Sequence, residues 1–399
     1  MTHRMKNIVI TLLLGVSSLT VAAQTYSETA AYRNRGVETP MMKRYHIDEQ
    51  RRSLEFPEIP GYKLLKCDFH IHTIYSDGHV TPAIRVEEAF YEGLDAISIT
   101  DHIEVPARPD VVTKDMNRAY ELAKDYAETL DVMLIPGTEI TREYPTGHYN
   151  AIFIKDANAF TKFVNPERPQ DGNNVDGALQ EAKNQGAFVF WNHPFFQDPD
   201  RLARWKPEQE ALFEKGLLDG IEVINRDRYY PIVHKWALDK NLTVIGTTDI
   251  HSTIRIDPGM YRQMTLVLAK ERSPEALREA LDNRRTVAYS QNYLYGSRQN
   301  ILPILEACIQ TKVVNHNSRM IIFEVFNRSG MPFEFEIIDY GELVQNEYDH
   351  YLVSAYGRYP IIFSGNNIAP GQTYKIKVKM LNLIVGYSEP MEYIFEIKL

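Results

Sequence analysis

The chain has 399 residues, enough for two or three units of ordinary domain size. Its 44% hydrophobic and 24% charged residues are those of a globular protein and exclude a disordered or collagen-like chain. Acidic residues outnumber basic ones, 53 to 44, for a net charge of -9, which removes the electrostatic footprint of a nucleic-acid polymer binder, and 2 cysteines are too few for a disulfide framework or a thiolate zinc cluster.

Residues 1–23 have the layout of a secretory signal peptide. Arg4 and Lys6 precede an apolar run from Ile8 to Val16, and Val21 and Ala23 supply the small residues of a cleavage site before Gln24. The run is shorter than the roughly 18 residues of a spanning helix, and no Cys follows it. The expectation is an exported protein, periplasmic or secreted, with no membrane span once this segment is removed. Residues 24–60 are polar, contain Pro40, Pro57 and Pro60, and read as a linker.

From residue 61 strand-like and helix-like segments alternate. The strand-like runs are LLKCDFHI, LDAISIT, DVMLIPG, YNAIFIK, AFVFWN, GIEVIN and LTVIGTT. They are short, β-branched and apolar on both faces, as strands covered by helices should be. Amphipathic segments predict helices over 82–93, 115–130 and 175–186, and Ser273-Pro274 marks the start of another that reaches Asn283. Seven such strands predict a closed β/α barrel over residues 61–302. No G-x-G-x-x-G or Walker A loop is present to suggest a nucleotide fold. Cys67 lies inside an apolar strand and is expected as a buried free thiol. After about residue 303, segments such as MIIFEVFN, PFEFEIID, TYKIKVKML and EYIFEIKL alternate at period two, predicting a small all-β sandwich over 303–399.

The chemistry-bearing residues fall at strand ends. His70 and His72, two apart, leave the same face of the first strand. Asp77 follows in the next loop. His102 ends the second strand and Glu139 the third; His148 precedes the fourth. His193 follows the fifth, and Asp249 and His251 follow the seventh. Active sites of β/α barrels gather at the C-terminal ends of their strands. Imidazole and carboxylate are the ligand set of zinc, manganese and iron, and a carboxylate such as Glu139 can bridge two ions. Nine such residues recurring at strand ends predict a polynuclear metal site.

HIHTIYSDG, ITDH, G-x-E, NHP and TDIH resemble, in order, the motifs of the PHP (polymerase and histidinol phosphatase) family over roughly residues 61–290. The resemblance implies a distorted seven-stranded β/α barrel with three divalent metal ions. It implies His70, His72, Glu139 and Asp249 at the first ion, Glu139, His148 and His193 at the second, and Asp77, His102 and His251 at the third. Many members carry His where Asp77 stands, and a carboxylate there favours manganese over zinc or iron. The whole layout, with its signal peptide and C-terminal sandwich, is similar to the exported PHP-domain phosphodiesterases related to the bacterial enzyme acting on haloalkyl phosphate diesters.

The resulting expectation is a phosphodiesterase for a small phosphate ester, in which a hydroxide shared by two metals attacks phosphorus and Asp249 moves a proton toward the leaving group. Arg142, Arg226 and Arg255 are the candidate phosphate donors, the first two because they directly follow predicted strand ends. His234 lies on the helix YPIVHKWALDK, packed or within reach of the site. Tyr229 and Tyr230 either line a pocket or cap that helix. A phosphomonoesterase, an amide or ester hydrolase and a binding module are the competing readings.

Overall fold

In the computed structural model, short strands covered by helices alternate from Lys63 onward. It describes residues 51–105, 112–172, 174–196, 198, 200–257, 259–344 and 348–399. The expected signal peptide and residues 24–50 of the expected linker lie outside the described residues. No helix among the described residues is long and apolar enough to cross a membrane.

The N-terminal part contains strands β1 (Lys63–Ile71), β2 (Ala96–Ile99), β3 (Met133–Thr141), β4 (His148–Ile152), β5 (Phe188–Asn192), β6 (Gly220–Asn225), β7 (Arg228–Tyr229), β8 (Thr243–Thr247), β9 (Met264–Ala269), β10 (Thr286–Ser290) and β11 (Tyr293–Gly296). Its helices are α1 (Pro82–Tyr91), α2 (Arg118–Thr129), α3 (Val175–Asn184), α4 (Pro207–Glu214), α5 (Pro231–Asp239) and α6 (Pro274–Asp282), with α7 (Arg298–Cys308) following β11. Four of these helices open on proline, whose fixed φ suits the first turn and whose missing N–H leaves nothing unpaired there. At α6 the Ser273 hydroxyl also accepts from the Ala276 amide.

The strand order is β10-β9-β1-β2-β3-β4-β5-β6, with β8 paired to β6. The pairs β1–β2, β2–β3, β5–β6 and β6–β8 are parallel. β4 runs antiparallel to both neighbours, and β9 and β10 add antiparallel strands that the sequence reading did not anticipate. The ring closes without a regular ladder: Thr286 Oγ1 donates to Val244 O at 2.7 Å and His72 N to Ile250 O at 3.0 Å. β8 comes so near β10 that a Cβ on Gly246 would lie 2.7 Å from that of Ala288. Alternate residues fill the interior, among them Leu65, Cys67 and Phe69 from β1 and Phe188 and Phe190 from β5, with Leu277 and Leu281 of α6 in the same cluster. Burying a side chain such as Phe69 stabilises the fold by about 1.5–3 kcal/mol. Cys67 and Cys308 are both buried and unpaired.

The C-terminal part is all β: β12 (Ile309–Asn317), β13 (Met320–Asn327), β14 (Phe333–Asp339), β15 (His350–Val353), β16 (Arg358–Ser364), β17 (Thr373–Ile384) and β18 (Pro390–Lys398). β12-β13-β16 form one antiparallel sheet and β15-β14-β17-β18 the other. Phe323, Phe335, Phe363, Val378 and Phe395 are buried in one cluster drawn from both sheets, as a sandwich requires. The second sheet is continuous with the barrel sheet, because Leu294 and Tyr295 of β11 pair in parallel with Leu383 and Ile384 of β17.

Candidate metal centre

His70 near the end of β1 and His72 just after it reach the rim of the barrel, both fully buried. Glu139 leaves β3 beside them and is the hub of the cluster. Its Oε2 lies 3.0 Å from His70 Nε2, 3.2 Å from His72 Nε2 and 3.3 Å from His102 Nδ1. Its Oε1 lies 2.9 Å from His148 Nδ1 and 3.8 Å from His193 Nε2. Asp249 Oδ1 sits 3.4 Å from His70 Nε2 and 3.2 Å from His72 Nε2. Asp77 faces His251 Nε2 at 3.2 Å and His102 Nε2 at 3.6 Å.

All nine expected residues therefore converge. Four groups have donor atoms within 4.8 Å of one another: His70-His72-Glu139, His70-His193-Asp249, Glu139-His148-His193, and His72-Asp77-His102-His251. His148 joins although it begins its strand, because β4 is reversed and its first residue lies at the C-terminal ends of β3 and β5. Both His193 (φ 26°) and Asp249 (φ 48°) have left-handed backbone, which aims each side chain back over the barrel mouth.

The donor set fits cations. The Nδ1 of His70 is bonded at 2.7 Å to Glu222 Oε1, so its Nε2 lone pair faces the carboxylates of Glu139 and Asp249. His72 Nε2 is buried without a hydrogen-bond partner, although two carboxylate oxygens stand 3.2 Å away. Burial opposes charge on both rings, yet the surrounding carboxylates win. They push His70 well up and His72 up to about 9. A site that draws protons this strongly is one that divalent ions can occupy in their place. Burial opposes ionisation of Glu139 and Asp249, but the imidazoles hold both carboxyls well below the usual range. At His102 burial prevails and pulls the ring down to about 3.

Three carboxylates that the sequence reading did not single out as site residues support the cluster. Glu222 of β6 is fully buried. Besides His70 it accepts from the His193 amide at 2.7 Å, Thr247 Oγ1 at 2.6 Å and Asn225 Nδ2 at 2.9 Å. Asp101 accepts from Thr73 N and Ser76 Oγ and so braces the loop after β1. Asp68 accepts from the amide and hydroxyl of Thr248, next to Asp249.

The arginine expectations divide. Arg142 is a correction: its side chain is fully buried and bonded to Glu104, Thr141 O and Phe163 O, so it braces the structure instead of meeting substrate. Arg226 is half exposed, with Nη2 3.3 Å from Asp249 Oδ2. Arg255 lines the same cleft of about 380 Å³ with Arg226, Asp249 and His251. His234 is buried against Tyr229 and does not join the cluster. Tyr230 occupies the N-cap position of α5 without a side-chain capping bond and stacks on Phe195 at 4.3 Å.

The barrel and the ring of histidines and carboxylates at its mouth define a metal-dependent hydrolase. Residues 68–215 match the PHP domain family. A two-domain protein of Bacteroides vulgatus, described as containing a predicted PHP-like metal-dependent phosphoesterase, is 38% identical with a TM-score of 0.80. That similarity covers 87% of this chain and 99% of that one. An uncharacterized protein of Methanocaldococcus jannaschii is 35% identical over 81 residues, 20% of this chain; the match spans only 36% of that relative's length. The chain belongs to the PHP family.

Proposed function

We propose that the protein is a metal-dependent phosphodiesterase for a small phosphate ester. In this reading His70, His72, Glu139 and Asp249 hold one ion, Glu139, His148 and His193 a second, and Asp77, His102 and His251 a third, with manganese favoured at the carboxylate-bearing site. Bound there, the ions would supply Lewis-acid stabilisation of the phosphoryl oxygens and activation of water. Arg226 donates to a phosphoryl oxygen from the cleft side, and Arg255 adds positive charge further out. Asp249 turns Oδ1 to the imidazoles and Oδ2 toward Arg226, where it can accept a proton and pass it to the leaving group. The amino-terminal segment supports export to the periplasm or the medium.

The observation that carries the diester reading is Phe196. Its ring is 47% exposed and stands edge-on to His193 at 5.2 Å and His148 at 6.2 Å. Arg201 lies 5.3 Å over the same ring. An apolar face against the cluster suits a second organic substituent on phosphorus. With Arg142 bonded to Glu104, Arg226 and Arg255 are the expected arginines that line the cleft.

The test is turnover of bis(p-nitrophenyl) phosphate against p-nitrophenyl phosphate by manganese-supplied protein. A kcat/KM at least tenfold higher for the diester is expected. A monoester preference would move the assignment to a phosphatase on the same residues, and turnover of neither would remove the phosphoesterase reading.

A further inference from the structure

The hairpin of β6 and β7 joins the active-site mouth to the C-terminal sheets. Its pairs Ile224–Tyr229 and Asn225–Arg228 leave a two-residue turn, Arg226-Asp227. Arg226 takes the left-handed backbone that so tight a turn requires (φ 55°), its amide donates to Thr247 O at 3.1 Å, and its guanidinium reaches Asp249. On the returning leg, Tyr229 points out of the barrel. Its hydroxyl donates to Gly386 O at 2.9 Å and accepts from Ser388 N at 3.2 Å, both in the turn between β17 and β18. His234 Nδ1 lies 3.1 Å from the same oxygen, and the Tyr229 ring stacks on Tyr295 of β11 at 4.2 Å. The hairpin also touches the His193 loop. Tyr230 stacks on Phe195, and Arg228 lies 5.6 Å over that ring.

We infer that Tyr229 is a positioning residue through which the C-terminal β-structure sets the placement of Arg226 at the metal cluster. Two residues separate Tyr229 from Arg226 on a paired hairpin, so a hydroxyl anchored in the β17–β18 turn fixes where the guanidinium emerges. A turn this short has little freedom of its own to correct a displaced leg. The sandwich is thereby part of the catalytic unit. The kinetic readout rests on the phosphoester reading; the anchoring itself does not.

The experiment uses the full chain with Tyr229→Phe, which keeps the stacked ring and removes the hydroxyl, alone and combined with Arg226→Ala. On bis(p-nitrophenyl) phosphate, Tyr229→Phe is expected to raise KM about three- to tenfold with a smaller change in kcat. It is expected to have no further effect in the Arg226→Ala background. Equal losses in both backgrounds, or no loss in either, would overturn the inference. Hydrogen exchange of the peptide spanning residues 222–230 is read on the same proteins. It is expected to accelerate in Tyr229→Phe while peptides of β1 and β3 are unchanged. Unchanged exchange at 222–230 overturns the anchoring even if the protein hydrolyses no phosphoester, and accelerated exchange without turnover supports the anchoring while removing only the phosphoester reading.

Discussion

Glu222 Oε1 lies 2.7 Å from His70 Nδ1, on the far side of the imidazole from Glu139 and Asp249. This contact fixes the tautomer and aims Nε2 at the cluster. The other oxygen of Glu222 takes the His193 amide, so one buried carboxylate orients residues from two strands. Glu222→Gln keeps the volume but can offer an N–H where Nδ1–H now donates. We expect metal affinity to fall about 10- to 100-fold, with far-UV circular dichroism unchanged. Metal titration followed by calorimetry checks this; unaltered affinity would remove Glu222 from the site.

Arg142 and Arg226 both follow strand ends in the sequence, but Arg142 is fully buried against Glu104 whereas Arg226 is half exposed beside Asp249. Both side chains of the Arg142–Glu104 pair are fully buried, so the pair is costly to break. Arg142→Ala leaves Glu104 buried without this partner and is expected to cost about 3–5 kcal/mol of stability. Arg226→Ala should leave the denaturation free energy within about 1 kcal/mol, since the side chain is half exposed, and lower kcat/KM about 10- to 100-fold through KM. Denaturant titration and steady-state kinetics on the two variants separate them. The reverse pattern would exchange their roles.

Much of this was legible from alternation. The period-two spacing of His70 and His72, and of Asp249 and His251, announces a shared direction, and the apolar runs announce covered strands. The same period explains the misreading of Arg142. Glu139 and Thr141 both face the site, Thr141 Oγ1 lying 2.6 Å from His102 Nδ1, so the next residue points the other way. Glu222 carried a signal that went unused: a lone carboxylate inside GIEVIN is buried on a covered strand and must find donors. The reversal of β4 left no local mark, because its apolar run reads the same in either direction. β9 and β10, and the sheet that continues through β11 into β17, rest on pairings between distant segments that periodicity does not encode.

Removing metal tests the cluster as a whole. Chelation leaves His70, His72, Glu139 and Asp249 crowded together, with only protons to offset the carboxylates. An ion bound at 100 to 1,000 times its dissociation constant stabilises a fold by about 3–4 kcal/mol. Treatment with a chelator is therefore expected to lower the thermal midpoint by several degrees, and added manganese to restore it. His193→Ala should show a smaller chelator effect and bind less metal by elemental analysis. Full metal content and undiminished hydrolysis in that variant would sink the assignment of His148, Glu139 and His193 to one ion.

His234 offers a pH test away from the metal residues. It is buried beneath Tyr229, and burial pulls its ring down to about 4 from the usual 6.5. The unfolded chain binds a proton near pH 6.5, whereas the folded chain resists it until near pH 4. The stability contributed by the neutral ring is thus complete above pH 6.5 and is lost as pH falls from 6.5 to 4. At 1.36 kcal/mol per unit, the loss between pH 7 and pH 5 is about 2 kcal/mol. His234→Gln cannot take up this proton, so its denaturation free energy should fall less than that of the wild type over the same interval. Because every other titrating group is common to both proteins, the difference isolates His234. Parallel losses in the two proteins would mean that the ring takes up its proton in the fold at the same pH as in the unfolded chain. The Tyr229 hydroxyl would then face an imidazolium below that pH, and its bond to Gly386 would be carrying the hairpin without help from a neutral donor.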